Sequence, residues 1–429
     1  MELKLDKSYK LKETASKLIP SITQTFSKGP RCFVQGASPV YISRGSGCHI
    51  WDVDDNEYID FTGGLGPVLL GYCNETINSA IIEQLGSGII FTLPHPLEIE
   101  LARELSEIIP CAEMVRFGKN GSDATSGSVR LARAYTKREK IACCGYHGWQ
   151  DWFIGTTTRS SGIPECVKKL TLPFEYNNIE SLKKIFNENP GEIAAVIMEP
   201  VGVVEPENNF LQNVKELAEA NGTLLIFDEI VTGFRVSMGG AQEHYGVIPD
   251  LACFGKGMAN GMPISAIVGK RGIMELFDEV FFSFTFAGEA LSLAASVAMI
   301  RFIKENNVIS DLWEKGKKMK DGINGLAHEA GFEKYCECIG LPPRTVMSFK
   351  SWNDTDALII KSFFQQECMK RGILFTDSHN ISYAHTGADI QKTLEVYKEV
   401  LSLTIKALNN GDIEKKLKGP PVKPVFRKA

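Results

Sequence analysis

The sequence predicts an α/β protein built on a mostly parallel sheet. Three observations carry that expectation. Short apolar runs recur between about residues 110 and 270, and each stops at a turn or a charged residue. The stretches between them place apolar residues at helical spacing. The runs are apolar throughout rather than alternating, as strands are when both faces of the sheet are covered by helices. Ile193–Met198 is one such run and ends at Glu199-Pro200; Thr223–Phe227 is another and ends at Asp228-Glu229. Between them Leu211, Val214, Leu217 and Ala218 share one helix face, and Asn221-Gly222 closes the helix. Leu251–Phe254 and Ile264–Val268 continue the series. Towards the N-terminus, Cys48–Val53 and Glu57–Phe61 read as strands joined by the turn Asp54-Asp55-Asn56. From about Ser310 helical patterns dominate, as in Ile390–Leu408, and the Pro-rich, basic segment 418–429 reads as an extended strap on the surface. No repeat at a period of 20–50 residues is present.

Composition narrows the function. At roughly 150 residues per domain, 429 residues correspond to two or three units, or to one large core with terminal additions. Hydrophobic residues at 44% and charged residues at 23% exclude a disordered or fibrous chain. Forty-seven basic against fifty-two acidic residues leave a net charge of −5, without the basic footprint of a nucleic-acid partner or an affinity for anionic membranes. Met1–Lys10 lacks the apolar core of about 7–15 residues that a secretory signal carries. Ala290–Ile300 is about half of the ~20 residues that span a bilayer. The eleven cysteines are scattered, and neither Cys143-Cys144 nor Cys336-x-Cys338 has zinc-finger spacing. The expectation is a cytoplasmic protein with reduced thiols, no metal site, and a small-molecule partner rather than nucleic acid or membrane.

Open α/β sheets bind ligands beyond the carboxyl ends of their strands, and four polar features stand at such ends. Asp228 follows the run Thr223–Phe227; it is either a helix cap or ion-pair partner, or a carboxylate holding a cationic heterocycle or a metal. Lys256, flanked by Gly255 and Gly257, is either a snorkelling side chain or an amine in an apolar pocket, able to condense with a carbonyl. The turn Asn120-Gly121-Ser122 opens a helix, where Asn120 or Ser122 could cap it and where free N–H groups and a hydroxyl equally suit a phosphate. It is neither a Walker A loop nor Gly-x-Gly-x-x-Gly, so dinucleotide binding loses support. Tyr146 follows Ile141–Cys144 and is either core or a plate against a flat ring. Phosphate turn, aromatic, carboxylate and lysine, in that chain order, are the groups a pyridoxal phosphate (PLP) enzyme needs.

At these residues the sequence resembles the class III (subgroup II) aminotransferases, and within them the glutamate-1-semialdehyde 2,1-aminomutase branch. The matching stretches include Ile50–Asp60, Gly66–Gly71, Met114–Phe117, Arg130–Arg133, Tyr146–Gly148, Phe227–Arg235 and Gly255-Lys256. The resemblance implies PLP fold type I, aspartate aminotransferase-like: a mostly parallel seven-stranded large domain over residues 66–305. A smaller α/β domain would combine residues 1–65 and 306–410, with 411–429 as a tail. It implies Lys256 as the residue that forms the internal aldimine and shuttles the proton, and Asp228 as the partner of the ring nitrogen. Ile230 and Tyr146 would cover the two ring faces, and Gly121 and Ser122 would bind the phosphate. Thr285 would reach the cofactor of a neighbouring subunit, which implies a homodimer with shared sites. Arg31 aligns with the arginine that binds the substrate carboxylate. The implied activity is transfer of an amino group by PLP and its amino form PMP, either mutase-like within one substrate or between an amino-acid donor and another aldehyde or ketone, such as a sugar derivative. Departures fall where specificity is set: Phe286–Ala290 replaces Leu-Ser-Gly-Asn-Pro, the loop after Val201 is short, Leu65 replaces a tryptophan, and Gly340–Arg344 is unfamiliar, leaving Glu289 and Arg344 as candidate substrate contacts.

Overall fold

The computed structural model of the chain describes residues 3–425, so the last four residues of the expected tail lie outside the described residues. The chain divides into two compact units, one made from the stretch up to Asn74 together with the stretch from Ser310, the other from Glu75–Ile309. In chain order the first unit begins with α1 (Asp6–Leu18), β1 (Ile42–Ser46), β2 (His49–Asp52) and β3 (Glu57–Asp60). The second unit follows with α2 (Glu75–Ser87), α3 (Leu97–Ile108), β4 (Met114–Gly118), α4 (Gly121–Thr136), β5 (Lys140–Cys144) and β6 (Thr171–Pro173). It continues through α5 (Ile179–Glu188), β7 (Ile193–Met198), α6 (Phe210–Ala220), β8 (Leu224–Asp228), β9 (Leu251–Phe254), β10 (Ser265–Gly269) and α7 (Ala290–Glu305). The chain then returns with α8 (Val308–Glu329), β11 (Cys336–Leu341), β12 (Arg344–Phe349), α9 (Ala357–Met369), β13 (Ile373–Leu374), β14 (Ser378–Asn380) and α10 (Gly387–Asn409).

The second unit is organised by a seven-stranded sheet of order β4-β10-β9-β8-β7-β5-β6. Strands β6, β5, β7, β8 and β9 pair in parallel, and β10 runs antiparallel to both β9 and β4. The apolar run at 264–268 therefore differs from its neighbours in direction. Residues 255–264 are too few for a parallel crossover, which takes a dozen or more, so the chain turns back beside β9. Every residue of β7 and β8 is buried, which explains their unbroken apolarity. Helix α4 covers the sheet: Ala124, Val129, Leu131 and Ala132 pack with Ile141, Ile197, Ile226, Cys253 and Ile267. Each fully buried Leu or Ile contributes about 1.5–3 kcal/mol. Lys137, in the left-handed conformation, ends the helix.

In the first unit β2 and β3 form the antiparallel pair expected from the sequence. The turn between them is held by Asp52, whose Oδ1 accepts the N–H groups of Asp54 and Asn56 at 2.9 Å each. The tail is strapped down as far as it is described. Lys418 N–H donates to Gln366 Oε1 (2.7 Å) and Val422 N–H to Ser362 Oγ (2.9 Å), while the Val422 side chain packs on Val34 and Ala37.

Candidate active site

Strand direction in the second unit collects the predicted residues. Strands β4, β5, β8 and β9 run the same way, and their C-terminal ends lead into Gly121-Ser122, Tyr146-His147, Asp228 and Lys256 respectively. Asp228 is buried at the last position of β8, opposite Cys253 in the register with β9, three residues before Lys256. Its Oδ1 accepts the Ile230 N–H at 3.2 Å, and its Oδ2 lies 2.8 Å from His147 Nδ1. His147 is itself buried, and its Nε2 faces the Cys144 carbonyl at 3.1 Å. A carbonyl oxygen only accepts, so the Nε2 hydrogen bond is donated by the ring, and both ring nitrogens are engaged. Trp152 stacks on the His147 ring at 6.0 Å, Phe153 meets it edge-on at 5.2 Å, and Thr125 Oγ1 donates to its carbonyl at 2.7 Å. The imidazole is thereby fixed, and with it the orientation of Asp228.

Around this pair the chain makes room by omitting side chains. A Cβ at Gly121 would lie 2.3 Å from Ile230 Cδ1, and at Gly148, where φ is +104°, one would lie 2.4 Å from Ser122 Cβ. Those contacts set Ile230, Gly121 and Ser122 side by side. The helix cap is made by neither Ser122 nor the Asn120 side chain alone. Asp123 turns back and accepts the N–H groups of Asn120 (2.7 Å) and Lys119 (3.2 Å), leaving the Ser122 hydroxyl out of the cap. Tyr146 is half exposed, its N–H donates to Glu199 Oε2 at 3.1 Å, and its ring meets Phe153 edge-on. Burial, then the charge of Asp228, pushes its phenol up from the ordinary value. Lys256 is partly buried with φ +40°, a strained backbone for a lysine and one often found where a side chain must be aimed. Gly255 is less constrained than its neighbour: a Cβ there would meet Ile230 Cγ2 at an ordinary 3.8 Å.

Two predicted contacts stand outside this cluster. Thr285 is exposed in the turn closed by the Ala287 N–H to Phe284 carbonyl bond. Arg31 belongs to the first unit, is exposed, and its carbonyl accepts the Lys423 N–H. Glu289 is engaged within the fold. It is buried, accepts from Leu291 N–H (2.6 Å) and Ser292 Oγ (2.6 Å) at the start of α7, and pairs with Lys119 Nζ at 2.8 Å. Arg344 opens β12 directly after a two-residue hairpin turn, Pro342-Pro343. Leu65 sits at φ +83°.

A family model described as aminotransferase class-III matches residues 33–343. The chain belongs to the class III aminotransferases. Among its relatives, a 3-aminobutyryl-CoA aminotransferase of Cloacimonas acidaminovorans is 36% identical over 95% of this chain and 99% of its own. A glutamate-1-semialdehyde 2,1-aminomutase of Archaeoglobus fulgidus is 37% identical over 93% of this chain and all of its own. The solved PLP internal aldimine form of the Sphingopyxis sp. MTA144 FumI protein superposes with a TM-score of 0.88 at 29% identity, covering 97% and 99% of the two chains. This aminotransferase is accordingly a PLP-dependent enzyme of fold type I. Its residues fit that cofactor. A buried carboxylate suits a protonated ring nitrogen, and a helix N-terminus whose cap leaves out the Ser122 hydroxyl suits a phosphate, with Ile230 packed directly on Gly121.

Nothing in the sequence pairs His147 with Asp228 in this aminotransferase. The available signal was a histidine just past a buried strand, but its partner is 81 positions away and on a strand that is not adjacent. Glu229 was read only as part of a motif. It is buried, accepts the N–H groups of Ala241 (2.7 Å) and Gln242 (2.8 Å) and the Thr232 hydroxyl, and so pins the loop after β8. Burial pushes it up to about 7, against those donors. Among the described residues no helix is long and apolar enough to cross a membrane.

Proposed function

We propose that this aminotransferase exchanges amino and carbonyl groups within one substrate, as a glutamate-1-semialdehyde 2,1-aminomutase does, with Lys256 and Asp228 as its chemical pair. The observation that carries the reading is the buried Asp228, fixed by His147 and the Ile230 N–H beside the strand that leads to Lys256. PLP, when bound, supplies an aldehyde that captures amines and a cationic ring that draws electrons from the carbon beside nitrogen. With PLP bound, Lys256 Nζ would hold the cofactor covalently and, once released, would carry a proton between the substrate carbon and the cofactor. Asp228 would keep a proton at the ring nitrogen, Ile230 and Tyr146 would orient the ring, and Gly121 with Ser122 would bind the phosphate. Arg31 binds the substrate carboxylate through its planar fork. Glu289 caps α7, so one departure from the aminomutase pattern has a role in holding that helix.

A second reading, transfer between an amino-acid donor and a different aldehyde or ketone, draws on the relative named 3-aminobutyryl-CoA aminotransferase and on Leu65. The assay that separates them offers glutamate-1-semialdehyde with and without an amino donor. Turnover of the semialdehyde alone supports the mutase, while donor-dependent turnover of another carbonyl compound, with none of the semialdehyde, replaces it with the second reading.

A homodimer is part of the proposal. Ile89, Ile90, Phe91, Ile99, Phe284 and Phe286 are all exposed on the second unit, and the Ala290 N–H to Ile89 carbonyl bond brings two of these stretches together. Apolar patches of this kind mark association surfaces. Thr285 lies among them, suited to reach a partner's phosphate. A cytoplasmic location agrees with eleven cysteines that form no disulfide.

A further inference from the structure

Within the first unit, three side chains of metal-binding type meet at the start of β2 and the first turn of α10. Cys48 Sγ lies 3.4 Å from Asp389 Oδ2, His49 Nε2 lies 3.1 Å from Asp389 Oδ1, and the ligand atoms of all three fall within 4.8 Å of one another. A tetrahedral zinc ion, bound by nitrogen or oxygen at about 2.0–2.2 Å and by sulfur at about 2.3 Å, has ligand–ligand edges of ~3.3–3.8 Å. The two measured separations straddle the lower end of that range. A second feature points the same way. Glu57 Oε1 stands 2.8 Å from His49 Nδ1, the carboxylate-behind-histidine arrangement that sets the tautomer of a zinc ligand. Its alignment is off the N–H axis, but Glu57 is exposed and able to turn.

Helix capping alone does not account for the cluster. The cap of α10 needs only Thr386 and Asp389: Asp389 Oδ2 accepts the Thr386 N–H (2.9 Å) and hydroxyl (2.6 Å), and Asp389 N–H donates back to Thr386 Oγ1. Cys48 and His49 are additional: Asp389 Oδ1 faces His49, and Cys48 Sγ lies against Oδ2.

We propose that Cys48, His49 and Asp389 form a zinc-binding site, with water in the fourth position. Its ligands are some 340 residues apart in sequence, beyond what cysteine spacing could reveal, and the proposal departs from the expectation of no metal. On binding, the Cys48 S–H bond breaks, its proton goes to solvent and a metal–sulfur bond forms. His49 presents the Nε2 lone pair with its proton on Nδ1, towards Glu57. The site is distinct from the cofactor-binding residues, which lie in the other unit.

The test titrates chelator-treated, PLP-loaded enzyme with Zn2+ by equilibrium dialysis, and with Co2+ as a spectroscopic probe. The expected result is one equivalent of Zn2+ per chain, and Co2+ visible bands of a tetrahedral centre, to the red of the cofactor's absorption. Cys48→Ser and His49→Gln should each weaken binding at least ~100-fold, and Glu57→Gln roughly tenfold. A Cys73→Ser/Cys166→Ser variant, lacking the exposed thiols, should bind as the parent does. Should Cys48→Ser fail to fold, His49→Gln, at a partly exposed position, decides alone. Absence of bound metal, or binding unchanged in His49→Gln, overturns the proposal.

Discussion

In the proposed reaction Asp228 is the residue on which the chemistry converges. The carboxylate has no room to turn: His147 holds one oxygen and the Ile230 N–H the other. Asp228→Asn keeps the shape but gives up the negative charge, and kcat is expected to fall by about 10²–10³, measured with a saturating substrate. His147 acts through Asp228, so His147→Ala should lower kcat by roughly tenfold with less effect on KM, and shift the absorption of the bound cofactor. His147→Gln, which can still donate to Asp228, should restore part of both; a loss of folded protein alone, without the spectral shift, would leave His147 a purely structural residue. Arg31→Ala is expected to raise KM for acidic substrates by roughly tenfold or more, the worth of a charged hydrogen bond. An unchanged KM removes Arg31 from the site. At this scale the sequence was most readable where function is local. Asp228 closes a strand, and Lys256 and the Gly121-Ser122 turn come within three residues of the end of one. His147 is hidden because its partner lies across β7, and the capping by Glu289 is hidden because a charged residue in an altered loop looks like a specificity change.

At the scale of elements, apolar runs identified the strands but not their directions, since β10 is as uniformly buried as β8 and only its short connection betrays it. The small sheet of the first unit carries a different vulnerability. His379 and His385 are fully buried neutral rings, one between Thr345 Oγ1 (3.1 Å) and Tyr397 OH (2.9 Å), the other stacked on Phe61 at 4.3 Å. Burial lowers His379 to about 3 and His385 to about 4, from 6.5. Between about pH 6.5 and 4 the unfolded chain therefore binds more protons than the folded one, and stability falls as pH falls through that window. Each ring contributes a slope of up to about 1.4 kcal/mol per pH unit. His385→Asn, whose carbonyl can take the Ser382 N–H, should remove one such increment from urea-unfolding stabilities measured between pH 4.5 and 6. An unaltered slope would mean that the ring is not the proton acceptor.

For the whole molecule, the family is legible from a few stretches of sequence, whereas assembly is not, because exposure of Phe284 or Phe286 is a property of the fold. The proposed shared-site dimer makes a sharp prediction. Thr285→Glu should weaken PLP binding at the partner's site, and so should lower activity on its own. Mixed with a Lys256→Ala variant, part of that activity should return, since the hybrid contains one site with an intact lysine and an intact threonine from the other chain. No recovery after subunit exchange, or a monomer by sedimentation, would remove Thr285 from the cofactor's surroundings. All of this presupposes where the cofactor is attached. Borohydride reduction of the PLP-loaded enzyme, followed by peptide mass mapping, reads that directly. The account predicts a single pyridoxyl label on Lys256; a label on any other lysine, with Lys256 unmodified, would contradict it.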